Sequence, residues 1–214
     1  MKMKNKIYFK RFGGDFVDNE IDYIMEYLGD KSGNYSVPSD VTISVGCDSK
    51  NKRRKTQYAI TIVFYDNFKH NGAHCIFKRI NIPKYLAARG YKFDQWYKEN
   101  KPDNSKLISS GSNEAIFNRL YTEGLYLLEL ALYLDEKLKG KYFKDHELNE
   151  YDGSMPYRLP VLHVDFNSDD GNGRNKSNKV YKAMMGMLCG YGFKVECKPK
   201  AYASTSAADL LCKN

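Results

Sequence analysis

Two apolar segments rich in β-branched residues each run straight into an aspartate: Val41-Thr-Ile-Ser-Val-Gly-Cys47 ahead of Asp48, and Leu159-Pro-Val-Leu-His-Val164 ahead of Asp165. Runs of this length and composition are strands, because side chains of an extended chain alternate between two faces and a sheet buries both. The stretch between them is long enough to hold further strands and a crossover helix, which would lay the second strand parallel to the first. Both aspartates then stand at the C-terminal tips of neighbouring strands, the end of an open α/β sheet where ligands bind.

The rest of the chain fills in around that pair. Apolar residues at Ile21, Ile24, Met25 and Leu28 have helical spacing and predict a helix over 18–28, with Gly29 as its stop. Strands are expected at 57–65 and 73–82, with Asn71-Gly72 as the turn between them, which makes a three-strand antiparallel meander with the strand before Asp48. A long helix over 113–138 follows, with Ser112 as its N-cap, then the Asp165 strand, a helix over 176–189, a strand over 193–198 and a last turn or helix carrying Asp209. This α/β mixed sheet, a meander followed by helix-strand-helix-strand-helix, has the element order of the ribonuclease H-like fold. The expected organisation is an N-terminal helical extension at 1–40 packed on the core, and one domain at 41–214 with insertions near 84–112 and 139–157.

Composition narrows the functional classes. With 214 residues, 42% of them hydrophobic, the chain can bury one substantial core. No apolar run approaches the roughly 18 residues of a membrane span, and Met1-Lys-Met-Lys-Asn-Lys-Ile-Tyr8 has no apolar signal core, so no membrane partner and a cytoplasmic location are expected. The five cysteines are odd in number and never form a CxxC pair, which points to reduced thiols rather than disulfides or zinc. A net charge of +8 and a pI near 9.0 favour a polyanion, and nucleic acid is the expected partner.

In ribonuclease H-like proteins the first strand, the first long helix, the fourth strand and the last helix carry metal-binding acids, and Asp48, Glu123, Asp165 and Asp209 stand in that order here. Glu129 is the rival on the helix, six residues on and therefore on another face. The segments Val45-Gly-Cys-Asp-Ser49, Arg119-Leu-Tyr-Thr-Glu123, His163-Val-Asp-Phe166, Gly186-Met-Leu-Cys-Gly-Tyr-Gly192 and Lys198-Pro-Lys-Ala-Tyr-Ala-Ser-Thr-Ser-Ala-Ala-Asp209 resemble the YkuK-like family of ribonuclease H-like nucleases from Val41 onwards. The stretches at 84–112 and 139–157 are longer than that family's core requires.

The resemblance implies a metal-dependent nuclease acting on RNA or DNA with two Mg2+ or Mn2+ ions. Asp48 would bridge the ions, Glu123 and Asp165 would flank it, and Asp209 would complete the second ion's shell. Cations placed to meet the substrate are Lys52, Arg53 and Arg54 in the turn after Asp48, Arg174 and Lys176 in the loop entering the next helix, and Lys198 and Lys200 beside Pro199.

Competing readings come from the same residues. The scaffold is also compatible with a catalytically silent nucleic-acid- or protein-binding domain, such as a phage or assembly component. An ATP-binding relative is disfavoured because no glycine-rich phosphate loop follows Asp48. His163 shares a strand face with Asp165 and fits either a proton-transfer or a structural role. The aromatics Tyr85, Tyr91, Phe93, Trp96 and Tyr97 in the first insertion could stack bases or pack on the core.

Overall fold

Alternate residues of the first long strand differ sharply in size, and this decides how the two sides of the sheet are covered. The computed structural model describes residues 8–28, 41–66, 73–92, 111–142, 158–167 and 177–213. Its elements are β1 (Phe9–Arg11), β2 (Phe16–Val17), α1 (Glu20–Leu28), β3 (Val41–Asn51), β4 (Lys55–Asp66), β5 (Ala73–Pro83), α2 (Lys84–Ala88), α3 (Asn113–Tyr142), β6 (Arg158–Val164), α4 (Asn178–Gly190), β7 (Phe193–Cys197), a π-helical turn (Ala203–Ala208) and α5 (Asp209–Lys213). The strands form one mixed sheet in the order β2-β1-β5-β4-β3-β6-β7.

Ile43, Val45 and Cys47 of β3 point to one side together with Tyr58, Ile60, Ile62 and Phe64 of β4 and Leu162 of β6. This face is bulky and apolar, and α1, α3 and α4 cover it through Ile21, Ile24, Leu127, Leu134, Met184 and Leu188. Burying such a leucine or isoleucine contributes about 1.5–3 kcal/mol, so this layer carries most of the hydrophobic stabilisation. The other face presents Ser44 and Gly46 of β3 and Ala59 and Thr61 of β4. Small side chains there leave room for a close backbone approach, and the π-helical turn and α5 lie against them through Ala203, Ala208, Leu211 and Cys212.

The meander, the long helix and the two later parallel strands lie where the sequence places them. Ser112 caps α3 as expected, its hydroxyl accepting from the Ala115 N–H at 3.1 Å. Two details differ. Asp48 does not end its strand: β3 stays paired with β4 as far as Asn51 opposite Thr56, so the hairpin turn is Lys52–Arg54 and Asp48 lies inside the ladder. The N-terminal segment brings strands as well as a helix, since β1 and β2 extend the sheet beyond β5. Pro160 lies within β6, accommodated by a register shift against β7 between Arg158 and Leu162. Trp96 and most of both insertions lie outside the described residues. Among the described residues no helix is long and apolar enough to cross a membrane.

A side chain at Gly46 would place its Cβ 2.4 Å from the Ala203 carbonyl carbon and 2.5 Å from the Ser204 nitrogen, both backbone atoms that cannot swing aside. At Gly124 the nearest obstacle is the Met184 methyl, the far end of a flexible side chain. Gly46→Ala is therefore expected to destabilise the protein by about 1–3 kcal/mol, and Gly124→Ala by clearly less. Denaturant midpoints test the contrast, and hydrogen exchange in Gly46→Ala should show lost protection over 203–213; equal costs would mean that the π-helical turn does not rest on Gly46.

Candidate functional site

β3 and β6 run parallel with Gly46 opposite His163. Two residues further along, each chain presents an aspartate on that same face, Asp48 from β3 and Asp165 from just beyond β6. Lys198, which follows the parallel strand β7, forms an ion pair with Asp165 Oδ1. Burial holds the Asp48 carboxyl above the ordinary carboxylate range; the Ser49 N–H opposes this, and the nearby Asp209 charge adds to it.

The C-terminal segment is fixed to the sheet by the backbone groups of one residue. The Ala203 N–H donates to His163 Nδ1 at 3.1 Å, and the Ala203 carbonyl accepts from Thr61 Oγ1 at 2.9 Å. The Tyr202 ring meets the His163 ring edge-on at 4.4 Å, and its hydroxyl lies 3.2 Å from Ser44 Oγ. Further along, Cys212 Sγ donates to the Asp48 carbonyl at 3.3 Å. Asp209, at the start of α5, is thereby held beside Asp48, with Lys213 one turn on as its ion-pair partner. Burial lowers the His163 pKa to about 4, so the ring is neutral and Nδ1 is free to accept. Of the two roles open to His163, the structure favours the anchor.

Glu123 lies on the opposite side of the sheet, in the α3 layer, with only 2% of its surface exposed. It accepts from Ser49 Oγ and faces Arg119 Nη1 at 3.4 Å, while Arg119 Nη1 also donates to the Ser49 carbonyl at 2.7 Å. Burial first, and the Asp48 charge second, push the Glu123 pKa up to about 8. Glu129 is exposed and paired with Lys92 at 2.8 Å, well away from this cluster. Ser49 and Arg119 are site residues that the sequence reading did not assign. The signals were present, since Arg119 and Glu123 are four apart on one helix and Ser49 must face away from Asp48.

The cations gather at the same end of the sheet. β5, β3, β6 and β7 all run in one direction, so the Lys52–Arg54 turn, the start of α2 and Lys198–Lys200 share that end. The Lys84 N–H donates to the Arg54 carbonyl at 3.1 Å and ties the turn to α2. Arg53, Arg54 and Lys200 are exposed and Lys52 is half-buried. Arg174 and Lys176 lie outside the described residues.

As donors for a metal, Asp48, Asp165 and Asp209 offer the hard carboxylate oxygens that magnesium and manganese prefer, and all three retain some exposure. Among the described residues no three His, Cys, Asp or Glu side chains stand together as a ready cage. Lys198 and Lys213 supply positive charge to Asp165 and Asp209 in this state. The donor chemistry fits a divalent cation, with the two lysines as the groups it would displace.

Protonation of Glu123 links to stability with a definite sign. Its folded pKa of about 8 lies above the ordinary 4.5, so its contribution is full below 4.5 and is lost as pH rises through 8. The depressed His163 pKa works the other way between about 4 and 6.5, where stability rises with pH. Between pH 6.5 and 8 only the Glu123 effect of this pair remains. In chelator the unfolding free energy should fall there by at most about 1.4 kcal/mol per pH unit, and Glu123→Gln should flatten the fall. Denaturant titrations at a series of pH values check this, and an unchanged slope in the variant would show that Glu123 is ionised when buried.

A family model described as Ribonuclease H-like matches residues 108–213, the stretch that holds Glu123, Asp165 and Asp209. No curated protein and no solved structure matched the chain. The family match covers just under half of the chain, and together with the mixed sheet, in which the preceding meander supplies β3 and Asp48, it gives the chain a ribonuclease H-like fold.

Proposed function

We propose that this protein is a metal-dependent nuclease that hydrolyses phosphodiester bonds in RNA or DNA, of the YkuK-like kind that its segments resemble. The observation that carries the reading is that Asp48, Asp165 and Asp209 share one face at one end of the sheet, brought there by parallel register and by the docked C-terminal segment. Mg2+ or Mn2+, two ions in this reading, would be held by these three acids; the resemblance adds Glu123, which in this structure faces Ser49 and Arg119 on the other side of β3 and would have to turn to join them. When bound, the ions would supply an activated water and stabilisation of the leaving oxygen.

The chain's own residues do the rest. Glu123 holds a proton in the cation-free state and would release it as the site fills, and burial favours the proton on Asp48 in the same direction. Ser49 and Arg119 fix the direction of the Glu123 carboxyl, and Arg119 also counters its charge. His163 keeps the C-terminal segment, and hence Asp209, in place. Exposed Arg53, Arg54 and Lys200 at the same sheet end draw in a phosphate backbone.

A non-cutting scaffold that binds nucleic acid or protein is the second reading, and the lysine pairing of Asp165 and Asp209 favours it. Cleavage of end-labelled RNA, DNA, hybrid and junction substrates with magnesium or manganese decides between them. Wild type should cut at least one substrate and Asp48→Asn should lose at least about a hundredfold in rate, since a carboxylate serving the cations is gone. Tight binding without cutting by wild type on every substrate would establish the scaffold. Independently, replacing Arg53, Arg54 and Lys200 by alanine should lower the salt slope of single-strand binding by about 2, at roughly 0.7 per phosphate contact. An unchanged slope would place the substrate elsewhere.

A further inference from the structure

The row of residues that passes through Gly46 continues across the sheet as Thr61, Phe77, Lys10 and Phe16, each opposite the next. The neighbouring row passes from Asp48 through Ala59 to Arg79. All of these side chains therefore share the face that carries the acids. Beyond α5 that face opens into a groove of about 460 Å³ beside β1, β2 and β5, lined by Tyr8, Lys10, Phe16, Phe77 and Arg79. No carboxylate lines it among the described residues.

The composition of the groove is specific. Phe16 is 62% exposed, and Phe12, outside the lining but against it through the Phe77 ring at 5.4 Å, is 54% exposed. Lys10 Nζ lies 4.3 Å from the Phe16 ring centre, and the Arg79 guanidinium lies 5.4 Å from that of Phe77. Arg79 Nε is buried and has no hydrogen-bond partner among the described residues. Large rings left in water are costly to the free protein, and an unanswered guanidinium N–H beside them suits an anionic oxygen. The groove and the acids lie on either side of α5, with Phe77 lining the groove and packing against Leu211 and Cys212 of α5.

We infer that this groove is a binding track for single-stranded nucleic acid, in which Phe12, Phe16 and Tyr8 stack bases while Lys10 and Arg79 hold the phosphates. Unpaired bases expose the flat faces that rings require, whereas a duplex hides them. Arg79 lies two strands from Asp48, about 10 Å at 4.8 Å per strand, so a strand that crosses over the short α5 can reach from the groove to the acids. The inference deepens the nuclease reading by naming its substrate class and rests on that reading for the cutting step alone.

The test uses the full chain in chelator and follows fluorescence anisotropy of labelled oligothymidylate and oligouridylate, with a duplex of equal length beside them. Phe12→Ala combined with Phe16→Ala should weaken single-strand binding on the order of tenfold or more and affect the duplex much less. Lys10→Ala with Arg79→Ala should reduce the salt slope by about 1.4. Circular dichroism and melting check folding; should the double aromatic variant unfold, Phe16→Ser alone carries the test, and Phe16→Trp should restore binding. Wild-type affinity in folded aromatic variants, or no single-strand binding by wild type, overturns the inference. So does a monomer–dimer equilibrium abolished by these variants with oligonucleotide affinity intact, which would make the groove a self-contact. Lost affinity in the variants of a chain that never cuts would retain the groove and remove the nuclease. Unchanged affinity in variants of a chain that does cut would do the reverse.

Discussion

The contact between the bare backbone of Gly46 and the peptide of Ala203 is the constraint on which the site depends. A residue with no side chain on β3 lets another backbone approach to a distance that any Cβ would prevent. The peptide that takes that place brings an N–H and a carbonyl into a buried interface, where each must find a partner. His163 and Thr61 provide those partners from the strands on either side of β3. With both groups satisfied, the last segment of the chain has one seat on the sheet, and Asp209 and Cys212 follow from it.

Electrostatics sets the second constraint. Carboxylates gathered on one face of the sheet repel, and a fourth buried behind them cannot remain charged without help. The protein answers differently for each acid. Lys198 and Lys213 pair with Asp165 and Asp209, burial favours the proton on Asp48, and Glu123 sits in a pocket formed by Ser49 and Arg119. In the nuclease reading proposed above, a cation would take the place of these lysines and protons.

Much of this was legible in the sequence, and the parts that were not have physical causes. Long periodic segments gave the meander, α3 and the parallel strands, because a strong apolar pattern leaves one way to bury it. The two strands at the N-terminal edge were missed because Phe9–Arg11 and Phe16–Val17 are too short to show a period. The placement of Asp48 at a strand tip failed because β3 continues through polar residues held by pairing with β4 rather than by burial. Four acids could be named from their order, but the side of the sheet from which each approaches depends on tertiary packing. That packing puts Glu123 behind the strand and Asp48 in front of it. The partners of His163 were likewise invisible, since they come from Ala203 and Glu196, distant in the chain.

β3 acts as a partition one residue thick. Asp48 looks out on one side and Ser49, its immediate neighbour, holds Glu123 on the other, so the open and the buried acid are separated by a single peptide unit yet feel each other's charge. A slip of one residue in this strand would exchange the two sides, bringing Ser49 to the front and turning Asp48 into the apolar layer. The hairpin with β4, paired along its full length, fixes the reading frame of the strand. Evolution could therefore alter many side chains around these acids more cheaply than it could add or remove one residue between Val41 and Asn51.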